Sequence, residues 1–386
     1  MTRKLYYENS YIKEFTAKVL SCEPLKDGKY GVVLDATAFF PEGGGQPADI
    51  GMLGDAKVLD AHERGDDVVH YTDKPLTVGE PVTGVLDFER RLRLMQSHGG
   101  EHILSGIVHG KYGFNNVGFH MGSEDITVDY SGFLDRDQLR EIEYEANIAV
   151  CRNLPIITSF PSEEELKNIP YRSKKELSGA IRIVEVKDFD ICACCAPQLN
   201  FTGEIGIIKV LDSIKYKGGV RVHFHCGLDA LDDYNRKYDA VREIANALSV
   251  PQNDLAEGFF KYDKEYAECR AVCSQLKSEL MKFKAEAIPY TEGSLCIFEN
   301  GFDGEDLRKY ADLAAGRCSG VCAVFSGEDG NYNYVLISRS VDLKANLKFI
   351  NEALTARGGG SAEMIRGKAA CTRQEAEDFL FNQWQM

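Results

Sequence analysis

Nowhere do the 386 residues contain the roughly 18 consecutive apolar positions that a membrane-spanning helix needs, so a membrane partner is not expected. The opening MTRKLYYENS lacks the apolar segment of a signal peptide, which leads us to expect a cytoplasmic protein. Positive charge is in deficit. Lys and Arg number 45 against 60 Asp and Glu, and the net charge of −15 argues against nucleic-acid binding by bulk electrostatic attraction. Only local basic strips could do that work. The candidates are ERRLRLMQ, with Arg91, and IIKVLDSIKYKGGVR, with Lys217 and Arg221. Histidine is scarce as well, with eight in the chain, so two within five residues carry weight. The twelve cysteines are expected as free thiols or metal ligands, because a cytosolic chain of this length rarely uses disulfides.

The pattern along the chain predicts an α+β multidomain protein in four parts. Residues 1–87 alternate in short apolar and polar runs separated by Gly, Asp and Pro turns, as an N-terminal β-barrel requires. Within them, FFPEGGGQPADIG sets Gly43, Gly44 and Gly45 beside Gln46, a loop whose bare backbone can approach another group closely. Residues 88–227 mix helix and strand. RLRLMQSHGGEHILSG has helical spacing despite its glycines, Asp135 caps a second helix, and IGIIKVLDSIKYKGGVRVHFHCG reads as a hairpin of strands. Over 228–285, Leu231, Tyr234, Tyr238, Val241, Ala245 and Leu248 form one heptad stripe. Tyr262, Tyr266, Cys269, Cys273, Leu276, Leu280 and Phe283 form another, together predicting a helical hairpin or coiled-coil linker. Residues 286–386 read as a C-terminal α/β domain ending in ARGGGSAEMIRGKA, where Gly359 and Arg366 belong to a second glycine-rich loop and its basic continuation.

Chemistry concentrates in two stretches. His98 and His102 lie four apart on a helical segment, so both imidazoles project from one face and can share a cation. A zinc site needs a third donor from elsewhere, and DICACCAPQ supplies three sulfurs within four residues, Cys192, Cys194 and Cys195. Two imidazoles and one thiolate would leave a fourth position open to water, as catalytic zinc sites do. HGGEH also fits the H-x-x-E-H pattern of inverted zinc peptidases, with Glu101 as general base and a remote carboxylate as third ligand.

FFPEGGGQPADIG, SHGGEHILSG, NNVGFHMG with ITVDYSG, IEYEANIAVCRNLPI and CCAPQLNFTGEIGIIKV occur in that order. Together they resemble the free-standing alanyl-tRNA editing proteins, which are similar to the editing half of alanyl-tRNA synthetase. RGGGSAEMIRGKA resembles the C-terminal domain shared by the longer members and the synthetase. The resemblance implies that 88–227 is an editing domain of the threonyl/alanyl-tRNA synthetase type. It implies a hydrolase that removes serine or glycine from alanine tRNA and holds one zinc per chain. The family's H-x-x-x-H pair falls on His98 and His102, and its C-x-x-x-H pair on Cys194 and Gln198, so Gln198 replaces a histidine. Three outcomes are consistent with that change: three ligands and water suffice, Cys195 or Cys192 substitutes, or the metal and the activity are lost. The resemblance further assigns Gln46 to orienting water or substrate, and Thr37 to recognising the serine hydroxyl. It gives the C-terminal domain a role in tRNA binding or self-association, with a homodimer through that domain or the hairpin left open.

Overall fold

The computed structural model describes residues 1–122, 126–173 and 180–383 and separates into two compact units, Met1–Glu243 and Ile244–Met386. Among the described residues no helix is long and apolar enough to cross a membrane.

In the first unit, six strands pair in a closed ring. In pairing order they are Glu14–Pro24, Tyr30–Leu34, Asp67–Thr72, Ala56–Arg64, Gly51–Leu53 and Pro81–Leu86, the last returning to the first. Phe15, Ala17 and Val19 alternate inward along the first strand and meet Val32, Leu34, Leu53, Val58 and Val82 inside. The glycine-rich loop leaves this ring. Its ends are tied by the Phe40 amide, which donates to the Asp49 carboxylate at 2.6 Å, and its tip by reciprocal backbone bonds of 3.0 Å between Gly43 and Gln46.

The helix Phe88–Tyr112 follows, capped by the Asp87 side chain at its start and by left-handed Gly113 at its end. It is buried on every side from Met95 to Val108, which explains the glycines inside it. A Cβ on Gly100 would fall 2.2 Å from the Cys226 sulfur, so only glycine lets that strand pass so close. Around this helix lie a four-stranded antiparallel sheet (Ile208–Tyr216, Gly219–Cys226, Ile126–Tyr130, Asn116–Met121) and a three-stranded one (Ile156–Ser159, Ile183–Val186, Asp190–Ala193). The helix Arg136–Arg152 carries the expected Asp135 cap, completed by Gln138 into a capping box. Met95, Ile103, Val108, Ile142, Val128, Val222 and Phe224 join these elements in one core.

Two long helices, Gly227–Leu248 and Leu255–Glu286, occupy the segment expected to be a hairpin. Their predicted stripes do not form a buried seam. Leu231, Tyr234, Tyr238, Tyr262, Tyr266, Leu276, Leu280 and Phe283 are all exposed. The second helix instead buries Met281 and Ala285, which lie off the stripe, against Phe302, Leu307 and Tyr310.

The second unit is built on a five-stranded sheet in the order Leu295–Phe298, Val321–Glu328, Asn331–Ser338, Met364–Ala369, Ala356–Gly360. Only its first pair is parallel. The helix Gly304–Ala315 covers one face, while Leu343, Ile350, Leu354 and Phe379 cover the other. Burial on both faces is why the strand from Val321 reads as an unbroken apolar run. The second glycine-rich segment is a correction to the sequence reading. Residues Arg357–Gly360 are not a loop but an edge strand, with Gly359 directly opposite Arg366. Glycine carries no side-chain alternation, so the strand leaves no periodic trace in the sequence.

Candidate metal centre and its cavity

Three donors converge beside the helix Phe88–Tyr112. Ligating atoms of His98, His102 and Cys194 all lie within 4.8 Å of one another. The spacing of four stacks the two imidazoles with ring centroids 5.3 Å apart. Each ring is fixed by a partner on its inner nitrogen: His98 Nδ1 lies 2.9 Å from Gln46 Oε1, and His102 Nδ1 lies 2.9 Å from Asp190 Oδ2. Nε2 of each ring is thereby left for the site, and His98 Nε2 sits 3.4 Å from the Cys194 sulfur. An acceptor on the far nitrogen of each imidazole is the arrangement by which proteins orient metal-binding histidines.

His102, Asp190 and Cys192 form a second close group. Asp190 is already committed there, since Arg172 grips both its oxygens at 2.7 and 2.9 Å. It therefore orients His102, and the third donor facing the two Nε2 atoms is the Cys194 sulfur. The peptidase pattern required a carboxylate in that place.

Burial opposes ionisation of Cys194, yet His98 and His102 outweigh it and hold the thiol well below its ordinary pKa. Burial likewise opposes charge on His102, while Asp190 and the facing thiols of Cys192 and Cys194 raise it. Both shifts favour a thiolate facing a charged imidazole, and a bound cation would displace the imidazole proton, as deprotonated ligands require.

Gln198 is buried beside this group, its Nε2 3.5 Å from the Cys194 sulfur and 3.4 Å from the Ala196 carbonyl. Two buried polar atoms here, His102 Nε2 and Gln198 Oε1, have no hydrogen-bond partner among the described residues. A cation held by His98, His102 and Cys194 fits that deficit. Cys195 is not part of the group. Its side chain packs with Tyr6, Tyr7 and Phe40, and burial pushes its thiol up to about 11, the opposite of what a ligand needs. Substitution by Cys195 is therefore not supported.

The donors open onto a cavity of about 550 Å³ whose lining includes Gly44, Gly45, Glu101, Phe119, Arg182 and Cys195. Gly45 has a φ of +89°, and a Cβ on it would stand 2.5 Å from the Phe119 carbonyl, so the loop can close over the site only as glycine. The Glu101 carboxylate accepts hydrogen bonds from Ser105, at 2.6 Å, and from Asn116.

Other expected residues lie elsewhere. Thr37 points into the strand ring rather than the cavity. Its oxygen accepts from the Phe39 amide at 3.1 Å and meets His70 Nε2 at 2.8 Å, so no hydroxyl is free for a substrate. Gln46 holds His98 and is absent from the cavity lining. Arg91 is wholly buried. It grips both oxygens of Asp49 and donates to the Ser10 and Ala38 carbonyls, so it cannot serve as a surface contact for RNA. Arg221 is ion-paired with Asp129 at 2.6 Å and stacked 3.9 Å over Tyr216, with Lys217 exposed at the adjoining turn. Gly359 and Arg366 line a separate cavity of about 340 Å³ in the second unit, with Glu305 and Arg308. Sequence reasoning missed Asp190, Arg172 and Arg182. The aspartate opens the cysteine stretch itself, but only the fold shows that it faces His102.

Residues 181–223 match the family described as the threonyl and alanyl tRNA synthetase second additional domain. An alanine–tRNA ligase of Halorubrum lacusprofundi is 33% identical over 379 residues, covering 93% of this chain and 40% of that protein. The chain thus spans about two fifths of the length of the ligases it matches. Alanyl-tRNA editing protein AlaX-L of Pyrococcus horikoshii is 27% identical over 403 residues, covering 98% of this chain and 97% of that one. Among solved structures, the C-Ala domain of Aquifex aeolicus alanyl-tRNA synthetase matches 23% of this chain and 83% of its own, at 23% identity and a TM-score of 0.19. The chain is thus similar from end to end to an alanyl-tRNA editing protein and, across its cysteine strand, to the second additional domain of threonyl and alanyl tRNA synthetases.

Proposed function

We propose that the protein is a deacylase acting in trans, which hydrolyses the ester joining a wrong amino acid, serine or glycine, to alanine tRNA. The observation that carries this reading is the convergence of His98, His102 and Cys194 at a cavity large enough for an aminoacyl group. Zinc bound by these three side chains would supply Lewis acidity and a fixed point for the substrate. The chain's own residues do the rest. Gln46 and Asp190 hold the two imidazoles in place, and the Gly44–Gly45 backbone closes the cavity over the ester. Glu101, on the lining, accepts a hydrogen bond from the attacking water or the amino acid's polar groups. In the reaction the water oxygen bonds to the acyl carbon, the bond to the ribose oxygen breaks, and that oxygen takes up the proton.

Thr37 faces inward, so discrimination of serine from alanine falls to the cavity lining, where a polar group left without a partner disfavours the alanine ester. The proposed partners are alanine tRNA and a second copy of the chain, the latter through the exposed stripe of the helix Leu255–Glu286.

The test is release of serine from mischarged alanine tRNA by zinc-supplemented protein, with His98→Ala as control and alanyl-tRNA as the spared substrate. Rapid serine release lost in His98→Ala is expected. Gln198 favours one other reading, a relative that binds tRNA without cleaving it. Bound tRNA with no release, and no zinc in the purified protein, would establish that reading instead.

A further inference from the structure

The cavity has a wall that the metal donors leave unexplained. Arg182 is only 7% exposed and lines the cavity, and among the described residues no carboxylate is ion-paired with it. One amino nitrogen of its guanidinium donates to the Cys194 and Ala196 carbonyls at 3.0 and 2.8 Å. Its Nε is buried with no acceptor among the described residues. Holding the cysteine turn therefore accounts for one edge of the guanidinium and leaves another edge with donors to spare. A buried cation without an anion is unfavourable unless a ligand supplies one.

Two aromatic rings stand against this charge. The guanidinium lies 5.3 Å over the Tyr7 ring, and Tyr7 meets Phe160 edge-on with centroids 5.5 Å apart. Both rings line the same cavity, and Phe160 is 52% exposed, which places it at the mouth. A planar guanidinium fork suits phosphate oxygens, and exposed aromatic faces stack nucleobases regardless of sequence. Of the other charged groups on the lining, Cys194 belongs to the metal donors and Glu101 already accepts from Ser105 and Asn116.

We propose that Arg182, Tyr7 and Phe160 form a subsite for the terminal nucleotide of an RNA strand, the guanidinium taking its phosphate and the rings its base. This rests on the deacylase reading, because it places the end of the strand next to the ester. It also assigns the RNA contact of a strongly acidic chain to one enclosed cation rather than to a basic surface.

The experiment uses the full chain and two uncharged RNA hairpins carrying the alanine acceptor stem, one ending in CCA and one lacking the last adenosine. The wild type is expected to bind the intact hairpin about tenfold more tightly than the trimmed one. Phe160→Ala, at an exposed position that does not threaten folding, and Arg182→Gln should each abolish most of that preference. In Phe160→Ala, which leaves the cysteine turn intact, zinc content and affinity for the trimmed hairpin should not change. Adenosine monophosphate should displace the intact hairpin better than adenosine or inorganic phosphate does. Adenosine competing equally well would overturn the phosphate assignment, and inorganic phosphate competing equally well would overturn the stacking assignment. A wild type with no preference, or variants that keep it in full, would overturn the subsite as a whole. Intact preference with no serine release would instead sink the deacylase reading alone.

Discussion

A glutamine at position 198 puts a neutral amide where the family pattern has an imidazole, 3.5 Å from the Cys194 sulfur. An amide is a weak partner for zinc, so the site's affinity rests on three side chains and on what holds them. Gln198→His should therefore tighten zinc binding about tenfold or more, read by competition with a chromogenic chelator. Asp190→Ala should weaken it by about 10- to 100-fold, because His102 loses the carboxylate that orients it and Arg172 is left without its partner. Equal affinity in wild type and Asp190→Ala would mean that His102 does not bind the ion. Arg91 is tested on a different axis. Removing it strands the buried Asp49 carboxylate, so Arg91→Met should lower stability by about 3–5 kcal/mol in urea melts. RNA affinity of the protein that remains folded should be unaltered.

At the scale of elements, the strand ring carries a buried proton switch of its own. His70 is enclosed between Val32 and Thr37, and burial holds its imidazole down at about 4 against an ordinary value near 6.5. Above pH 6.5 the residue is neutral whether the chain is folded or not, and it contributes no pH dependence. As pH falls from 6.5 toward 4, the unfolded chain takes up a proton that the folded one refuses, so stability is lost, by about 3 kcal/mol in full. Thermal melts between pH 7 and 4 should show this slope, and His70→Gln should flatten it even if it melts lower throughout. The His98–His102 helix, the Asp135-capped helix and the strand hairpin ending at Cys226 were legible in the sequence because periodicity and capping are local signals. The inward direction of Thr37 and the burial of Arg91 were not. Their partners, His70 and Asp49, lie 33 and 42 positions away, and nothing local marks either pairing. Of the metal centre, the two histidines could be read from spacing and the cysteine cluster from chemistry, with Cys194 singled out by the resemblance, whereas Asp190, 88 positions from His102, is joined to it only by the fold.

On the scale of the whole chain, a net charge of −15 means that the proposed RNA partner would be held by few contacts rather than by an electropositive face. The exposed apolar side chains of the helix Leu255–Glu286, among them Tyr262, Tyr266, Leu276 and Leu280, suit a second copy better than they suit water. Sedimentation at micromolar concentration should give twice the 43.0 kDa chain mass. The double substitution Leu276→Glu and Leu280→Glu should return it to one. A wild type that sediments as a single chain would remove the dimer and leave the metal centre untouched, since the two compact units each have their own core.

The amide beside Cys194 has a consequence for heredity. Glutamine and histidine codons differ only in the third base, and either pyrimidine there converts one residue into the other. A lineage carrying this chain meets the four-ligand form by single-base mutation in every large population. Selection for fast editing in zinc-poor growth should recover histidine at position 198 repeatedly and ahead of changes elsewhere in the cavity.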